Sequence, residues 1–416
     1  MTTSAEHPSF DMKNMPFRRL GPSGLRVPLF SIGGWLTLGG SVVGDPVKVS
    51  CASVVIDGAE LTWTMQEIMR TAFENGINMF DTAEDYQKGE SEREIGRVIK
   101  ELNWRRSDII ISTKIFWSPR SGPNDTGLSR KHVIEGTKDC LQRLQLSYVD
   151  VIFAHRCDIS VPMEEIVRAF NYVINQGWAF YWGTSEWTAQ QIEEAHHVAA
   201  KLNLIAPIAE QCKHHMFHRE RAEKEYEPLY RKYGLGTTAF SALQGGLLTG
   251  KVVLPSALFT ANVLIQAQYN DGIPAGTRFD TVKMFKGMTE TEAGKEMVKK
   301  VREVTKIADG ASLSLSLPLS LYSCLLALYE LNPMQRAELG TTTTALALAW
   351  VAKHTHTSTV ILGVTSPAQI VDNLKALEVL PKLTPEVLAR IEEVLGNKPV
   401  PAPTYGRPAL DVHGRF

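Results

Sequence analysis

The chain has 416 residues, with 44 lysines and arginines against 45 aspartates and glutamates, so its formal net charge is −1. That balance excludes a broad basic face for nucleic acid and offers no excess of positive charge to an acidic membrane surface. A hydrophobic content of 44% is ordinary for a globular protein and excludes a mainly disordered chain.

Cysteine usage and hydropathy predict the compartment. The 5 cysteines are scattered without a CxxC pair, and no histidines have the spacing of a zinc site, which predicts a reducing environment and no metal. The first 16 residues lack the apolar core of a secretory signal, so we expect a cytoplasmic protein. The Leu-rich stretch Leu313–Leu331 approaches the length of a membrane span, but four serines, a proline and a glutamate within it disfavour a span.

Eight short apolar runs, most of them followed by a helical pattern, predict strands. They cover residues 29–34, 77–83, 108–114, 148–156, 178–185, 207–215, 235–243 and 359–365. Runs that are apolar throughout are typical of parallel strands buried on both faces. We therefore predict an α/β fold, a (β/α)8 TIM barrel. The alternative is a doubly wound sheet, but no GxGxxG motif follows the first strand.

Helical patterns separate these runs, at 67–76, 91–103, 129–145, 163–177, 188–203, 222–234 and 344–354. Ser129 and Thr188 stand at the starts of two of them and are expected as N-caps. Ser91, with Glu94 three residues later, predicts a capping box at the start of another.

Functional side chains of barrel enzymes lie at the carboxyl ends of the strands. The ends predicted here carry Trp35, Asp81, Lys114, His155, Ser185, Gln211, Ser241 and Thr365. Asp81, Lys114 and His155 form, together with Tyr86 five residues after Asp81, a set suited to protonating a carbonyl oxygen. An ammonium beside a tyrosine lowers the hydroxyl pKa, a carboxylate holds the ammonium in place, and a histidine orients the carbonyl.

The set contains no obvious nucleophile and no carboxylate cluster for a metal, so a hydride from a nicotinamide is the natural attacking group. Each residue also has an ordinary structural explanation. Asp81 suits a helix cap, Lys114 a solvated strand end, Tyr86 a packing residue and His155 a surface histidine. The joint occurrence of all four at one rim favours the catalytic interpretation.

Three stretches of the sequence carry motifs of a known family: GINMFDTAEDY at 76–86, IISTKIFW at 110–117 and VINQGWAFYWGTSEW at 173–187. They resemble the aldo-keto reductases, and most of all the branch that contains the β subunits of voltage-gated potassium channels and their fungal and bacterial relatives. The resemblance runs from about residue 17 to 400, between an N-terminal tail (1–16) and a C-terminal tail (401–416). It implies one barrel domain that reduces aldehydes and ketones to alcohols with NADPH, an oxidoreductase acting on CH–OH groups.

Position by position, the resemblance implies a catalytic tetrad of Asp81, Tyr86, Lys114 and His155, with Tyr86 as general acid. The residues that it assigns to the cofactor are Trp35, Asp81, Ser185, Gln211, Phe240, Ser241, Leu243, Gly245, Lys251, Arg278, Gly363, Thr365, Gln369, Asp372 and Asn373. Among these, Ser185 and Gln211 are implied to contact the nicotinamide carboxamide. The run from 240 to 251 is implied to cover the pyrophosphate, and the run from 363 to 373 to recognise the adenosine 2′-phosphate of NADPH.

Four positions distinguish this chain within the resemblance. Phe240 stands where tryptophan is usual, and Ala242 where proline is usual. Glu186 stands where channel β subunits have arginine. His155 is the residue typical of aldo-keto reductases, whereas channel β subunits commonly have asparagine there, which favours an ordinary reductase.

The competing function is that of a cofactor-binding regulatory β subunit of a potassium channel, with catalysis secondary. The tail before the barrel is short and not basic, which disfavours a tethered pore-blocking peptide. A pseudoenzyme is disfavoured because all four catalytic positions are filled. The expected partner is a small-molecule carbonyl substrate and no nucleic acid, and the resemblance makes a homo-oligomer such as a tetramer possible.

Three segments interrupt the family pattern, at about 49–66, 252–268 and 310–336. The first two are apolar without a clean strand or helix period, and the third is rich in leucine and serine. Loops of such length inside a compact domain rarely lack structure of their own. The first two begin with valine and end with glutamine, as a translated intron that opens with GT and closes with CAG would. We hypothesise that all three are retained introns; lineage-specific loops are the alternative.

Overall fold

The computed structural model describes residues 7–35, 54–56, 59–61, 65–250, 287–309 and 339–401. In chain order, the described strands are β1 (Phe17–Arg19), β2 (Arg26–Pro28), β3 (Phe30–Gly33), β4 (Val54–Ile56), β5 (Ala59–Leu61), β6 (Met79–Asp81), β7 (Ile110–Ile115), β8 (Val149–Ala154), β9 (Ala179–Ser185), β10 (Ala209–Lys213), β11 (Gly236–Phe240) and β12 (Thr357–Leu362). Strand β3 and strands β6 to β12 pair in parallel in chain order, and β12 pairs with β3 to close a barrel. The predicted (β/α)8 barrel is therefore confirmed, and each of its strands overlaps a predicted run, although β7 ends one residue after its run and β12 begins two residues before its run.

Helices surround the barrel. In chain order they are α1 (Met65–Glu74), α2 (Glu90–Glu101), α3 (Arg130–Leu144), α4 (Met163–Asn175), α5 (Ala189–Lys201), α6 (Glu227–Tyr233), α7 (Glu292–Asp309), α8 (Thr343–Lys353), α9 (Pro367–Leu374), α10 (Ala376–Val379) and α11 (Pro385–Leu395). Their apolar faces form one continuous core with the outward-facing side chains of the strands. This layer of helices leaves the carboxyl ends of the strands, and the loops that follow them, to form the site.

The predicted helix starts are correct in two cases and wrong in a third. Ser129 accepts a hydrogen bond from the backbone of His132, and Thr188 forms a capping box with Gln191. Ser91 is not a cap, because α2 begins one residue earlier and left-handed Gly89 occupies the N-cap position. The Ser91 hydroxyl is instead buried and accepts a hydrogen bond from Thr82, directly after β6.

The helix predicted at 222–234 is divided in two. A π-helical turn covers Arg221–Glu225, and α6 begins only at Glu227. Pro228 lies in the first turn of α6, where a residue without an N–H is tolerated. The same proline cannot donate within a longer continuous helix, so the break falls just before it.

The amino-terminal end of the barrel is closed by the antiparallel hairpin of β1 and β2. Leu20 and Val27 from this hairpin are fully buried against Met79, Val151 and other inward-facing strand residues. The chain turns at Gly21 with a φ of +57°, and a Cβ there would lie 1.9 Å from the carbonyl oxygen of Ile208. The barrel is therefore plugged at this end, and the residues at the opposite rim are reached from the loops.

The three interrupting segments lie largely outside the described residues. Within the first, the backbone forms the two-stranded antiparallel sheet of β4 and β5, and its last two residues begin α1. The second and third segments lie wholly outside the described residues, and the third contains Leu313–Leu331. The described residues on either side of the third segment are in contact, because the backbone N–H of Thr341 donates to the carbonyl of Ala308, at the end of α7, at 3.0 Å. In the part of the chain that the structure describes, no helix is both long and apolar enough to cross a membrane.

Candidate active site

Lys114 lies at the centre of the site, wholly buried on β7. Its ammonium donates to Asp81 Oδ2 at 2.5 Å and to the carbonyl of Thr82 at 2.7 Å. Burial by itself lowers the pKa of Lys114, but Asp81 and Tyr86 outweigh it, so the pKa is raised and the side chain is charged at neutral pH. The solvated strand end considered from the sequence is thus wrong.

Asp81 ends β6 and organises the polar centre. In addition to Lys114, its carboxylate accepts from Ser112 Oγ at 2.7 Å and from Gln211 Nε2 at 3.1 Å. Ser112 is paired in register with Asp81, and it lies two residues before Lys114 on the same face of β7. Asp81 is therefore not a helix cap, and its position depends on three strands.

Tyr86 begins a tight turn, Tyr86–Gly89, in which Gln87 and Lys88 adopt left-handed conformations with φ of 53° and 56°. This turn brings the ring next to Lys114, whose Nζ lies 4.7 Å from the ring centroid. Burial raises the pKa of the Tyr86 hydroxyl, and the Lys114 ammonium opposes that rise without cancelling it. The predicted direction of the lysine effect is correct, but the net pKa is above the ordinary value, so the hydroxyl keeps its proton.

His155 directly follows β8, and its backbone N–H donates to the carbonyl of Ile115. The imidazole is buried, with its ring centroid 5.8 Å from that of Tyr86. Burial, reinforced by Lys114 and Arg156, lowers the pKa of His155 to about 2, so the ring is neutral at physiological pH. It is not a surface histidine, and the structure brings all four residues of the predicted tetrad together.

Aromatic side chains stand at the same rim. Trp35 follows β3 and is 38% exposed, and Trp117 follows β7 and is 45% exposed. Apolar surface of this kind beside buried polar groups suits an organic ligand. Trp187 is fully buried and packs in the core.

Ser185 and Gln211 end neighbouring parallel strands and are both buried. The Ser185 hydroxyl lies 3.3 Å from Nη1 of Arg156, which donates to it and to the carbonyl of His155. Gln211 donates through its nitrogen to Asp81, which leaves the side-chain oxygen to accept from a ligand. Sequence reasoning missed Arg156 and Ser112, although each lies within two residues of a predicted catalytic residue at a strand end.

The loop after β11 has an unusual backbone. Phe240 ends the strand, and Ser241, Gln244, Gly245, Gly246 and Gly250 have positive φ. Leu243 and Gly245 are partly exposed within it. The N–H groups of Gln244, Gly246 and Gly250 donate to the carbonyls of Ser241, Leu243 and Leu247, so these bonds close the turns of the loop. Lys251 and Arg278, which were predicted to contact phosphates, lie outside the described residues.

The segment from Gly363 to Asn373 passes from the end of β12 into α9. Gln369 accepts from the backbone N–H of Thr365 at 2.8 Å, which fixes the turn before the helix. Asp372 forms a half-exposed ion pair with Lys375 at 2.8 Å, whereas Asn373 is buried. The segment thus contains the N-terminus of α9, and Asp372 near the other end of the helix is paired with Lys375.

Comparison with known proteins agrees with this geometry. The model of the aldo/keto reductase family matches residues 63–395. The chain belongs to the aldo/keto reductase family. It is therefore an oxidoreductase by family, and members of this family generally use a nicotinamide cofactor.

Three relatives match nearly the whole chain, and each is named, provisionally, as a voltage-gated potassium channel subunit beta. The protein from Schizosaccharomyces pombe is 44% identical over 96% of this chain and 98% of its own length. The proteins from Arabidopsis thaliana and Oryza sativa are 41% and 39% identical, each over 94% of this chain and 100% of their own lengths. The predicted branch of the family is confirmed.

The residues present fit a nicotinamide dinucleotide. Ser185 and Gln211 supply a hydroxyl and an amide oxygen at the strand ends. Gly246 lies in the centre of the positive-φ loop from Ser241 to Gly250. Apart from its chain neighbours, no atom of the described residues lies within 4 Å of where its Cβ would stand, which leaves room there for a ligand against the backbone. Among the described residues, no group of three or more His, Cys, Asp or Glu side chains is arranged to hold a metal ion.

Proposed function

We propose that this protein is an NADPH-dependent reductase of aldehydes and ketones in which Tyr86 is the general acid. The observation that carries the proposal is the fully buried Lys114, held by Asp81 at 2.5 Å and placed 4.7 Å from the centroid of the Tyr86 ring. A charged ammonium in a buried site is expensive unless it is paired, and here it is paired beside a phenol that retains its proton.

A reduced nicotinamide held by Ser185 and Gln211 would supply the hydride that the carbonyl carbon needs. Tyr86 gives its proton to the carbonyl oxygen as negative charge develops there. Lys114 stabilises the resulting phenolate, because its charge is fixed in place and screened little by water. Neutral His155 donates a hydrogen bond that orients the carbonyl, and Asp81 keeps the ammonium in position. Trp35 and Trp117 provide the apolar walls.

The decisive experiment is oxidation of NADPH by the purified protein in the presence of a panel of aldehydes and ketones. We expect turnover with at least one class, followed at the absorbance of the reduced cofactor. If no member of a chemically broad panel accelerates NADPH oxidation above the rate without substrate, the proposed activity is wrong.

Preference for NADPH over NADH is proposed from the segment between Gly363 and Asn373. The start of α9 offers backbone N–H groups to a 2′-phosphate, whereas Lys375 caps the opposite end of this helix and is paired with Asp372. Titration of each cofactor against the protein's tryptophan fluorescence measures both affinities. Equal affinities would remove the 2′-phosphate assignment.

A second candidate function is favoured by the names of the relatives, which are channel subunits at 39–44% identity. In that case the chain would bind a potassium channel and catalysis would be secondary. Co-expression with a voltage-gated potassium channel, followed by recording of its inactivation, tests this function. A change in the channel current relative to the same channel expressed without this protein supports the channel function. An unchanged current together with efficient turnover favours the reductase.

A further inference from the structure

Asp85 is a carboxylate next to the candidate catalytic tyrosine that the mechanism above does not use. It occupies the N-cap position of the Tyr86–Gly89 turn, where a short polar side chain often bonds the backbone, yet it makes no such bond. Its Oδ1 is buried and has no hydrogen-bond partner within the part of the chain that the structure describes. A buried polar atom without a partner is costly, so its retention calls for an explanation.

Asp85 faces His155. Among the described residues, Nδ1 of His155 is also buried without a hydrogen-bond partner, and it lies 3.7 Å from Asp85 Oδ1. That separation is longer than a hydrogen bond. If Asp85 Oδ1 moved less than 1 Å toward Nδ1, the two atoms would be within hydrogen-bond distance.

We propose that Asp85 is a positioning residue that closes onto Nδ1 of His155 and decides whether the other ring nitrogen faces the substrate as a donor or as an acceptor. This inference rests on the proposed function. It concerns one proton, because a neutral imidazole carries a single N–H. When the carboxyl of Asp85 is protonated, it donates to Nδ1, and His155 presents Nε2–H. When Asp85 is ionised, it accepts from Nδ1–H, and Nε2 becomes an acceptor.

The two states suit opposite directions of the reaction. A carbonyl oxygen needs a donor, so the protonated pair favours reduction. An alcohol hydroxyl offers a proton, so the ionised pair favours oxidation. The pair would thereby link the direction of the reaction to pH through His155, without itself touching the substrate.

The charged groups around Asp85 set where the exchange occurs. Lys114 on β7 favours the ionised form, whereas Glu84 beside Asp85 and Glu92 on α2 disfavour it. Burial dominates and raises the pKa of Asp85 to about 6. On the His155 side of the pair, Lys114 and Arg156 both disfavour a charged imidazole, so His155 stays neutral while its single proton moves from one ring nitrogen to the other. Reduction is thus expected to lose efficiency as the pH rises through about 6.

Nitrogen-15 NMR of the histidines in the cofactor-free protein tests the pair without any assay of activity. The signals of His155 are assigned by their loss in His155→Gln. We expect the Nε2–H form at pH 5 and the Nδ1–H form at pH 8, and one form throughout in Asp85→Ala. A His155 tautomer that is the same at both values of pH, or that changes identically in Asp85→Ala, would overturn the proposal.

Kinetics then separate positioning from mere stability. Asp85→Asn keeps an amide that can donate to Nδ1, so it should retain reduction at pH 6 and no longer lose it at pH 8. Asp85→Ala should lower kcat/KM for a carbonyl by about 10- to 100-fold, since small errors in orientation carry such penalties. Asp139→Ala, a carboxylate on the outer face of α3, is the surface control, and thermal unfolding of each variant checks the fold.

A double-mutant cycle decides whether Asp85 acts through His155. In the background of His155→Ala, the further change Asp85→Ala should have no effect on kcat/KM. The same loss with and without His155 would overturn the proposal. If the wild-type protein oxidises no NADPH with any carbonyl, the proposed function fails, while the NMR experiment still decides the Asp85–His155 pair.

Discussion

Tyr86 is the residue on which the chemistry of the site depends. Tyr86→Phe removes only the hydroxyl, so the fold and cofactor affinity should be preserved while kcat falls by about 10²- to 10⁴-fold, the usual contribution of general acid catalysis. Steady-state kinetics with an aldehyde measure the loss, and Tyr172→Phe on α4 is the matched control away from the rim. Full kcat in Tyr86→Phe would remove the acid assignment.

Glu210 makes a prediction about stability and pH. This carboxyl is fully buried on β10, next to the hydroxyls of Thr184 and Tyr226, and burial raises its pKa from 4.5 to about 8. Between those values the folded protein holds a proton that the unfolded chain has lost. The free energy of unfolding therefore falls as pH rises, by up to about 1.4 kcal/mol per pH unit from this group, and levels off above pH 8.

Glu210→Gln should abolish that part of the pH dependence. Urea unfolding of both proteins at pH 5, 6.5 and 8 gives the comparison, with the variant gaining stability over wild type as pH rises. A difference between the two proteins that is constant across this range would show that Glu210 is ionised in the folded state.

The close return of the chain beside α7 makes a prediction at the scale of one element. Thr341 bonds to Ala308 at the point where the third interrupting segment leaves and re-enters. Deleting residues 310–336 joins Asp309 to Ala337 and leaves this contact within reach. We expect the deletion to unfold at the same temperature as the full chain, or slightly higher, by thermal melting.

Deletion of residues 303–309 is the matched control for that experiment. It removes the last turns of α7 and with them the buried Val304, Ile307 and Ala308. Loss of several buried apolar side chains costs a few kcal/mol, so this variant should unfold much earlier. Equal losses in both variants would mean that the segment from 310 to 336 belongs to the folded core. Whether the three segments are retained introns stays a prediction, which the mature transcript decides.

How far the sequence predicts these elements depends on the range of the interactions. The eight strands were predictable because each overlaps a short run rich in apolar residues, and Ser129 and Thr188 were predictable because a cap is a local contact. Ser91 was not, because a contact with the end of β6 takes its hydroxyl. Asp81, Lys114 and His155 were found from their strand ends, whereas the approach of Asp85 to His155 is visible only once β8 lies beside its turn.

At the scale of the whole molecule, the plug at the amino-terminal end is expected to support the entire barrel. Gly21→Ala combines a positive φ with a Cβ 1.9 Å from the carbonyl oxygen of Ile208. Gly177→Ala is the control, since it has a φ of +72° and nothing within 4 Å of its Cβ. The control should lose about 1–2 kcal/mol from backbone strain alone, and Gly21→Ala should lose clearly more in urea unfolding. Equal losses would mean that the plug moves aside freely.

The contact between Thr341 and Ala308 also bears on how this barrel tolerates differences in chain length. The described residues on either side of the segment meet in space, and the entropy of closing a flexible loop between such ends depends on the logarithm of its length. Each doubling of such a loop costs about 0.6 kcal/mol, less than the loss of one buried methyl-rich side chain. Two messages that differ by a whole inserted segment at this point can therefore encode the same barrel with nearly the same stability, and selection on folding alone would scarcely distinguish them.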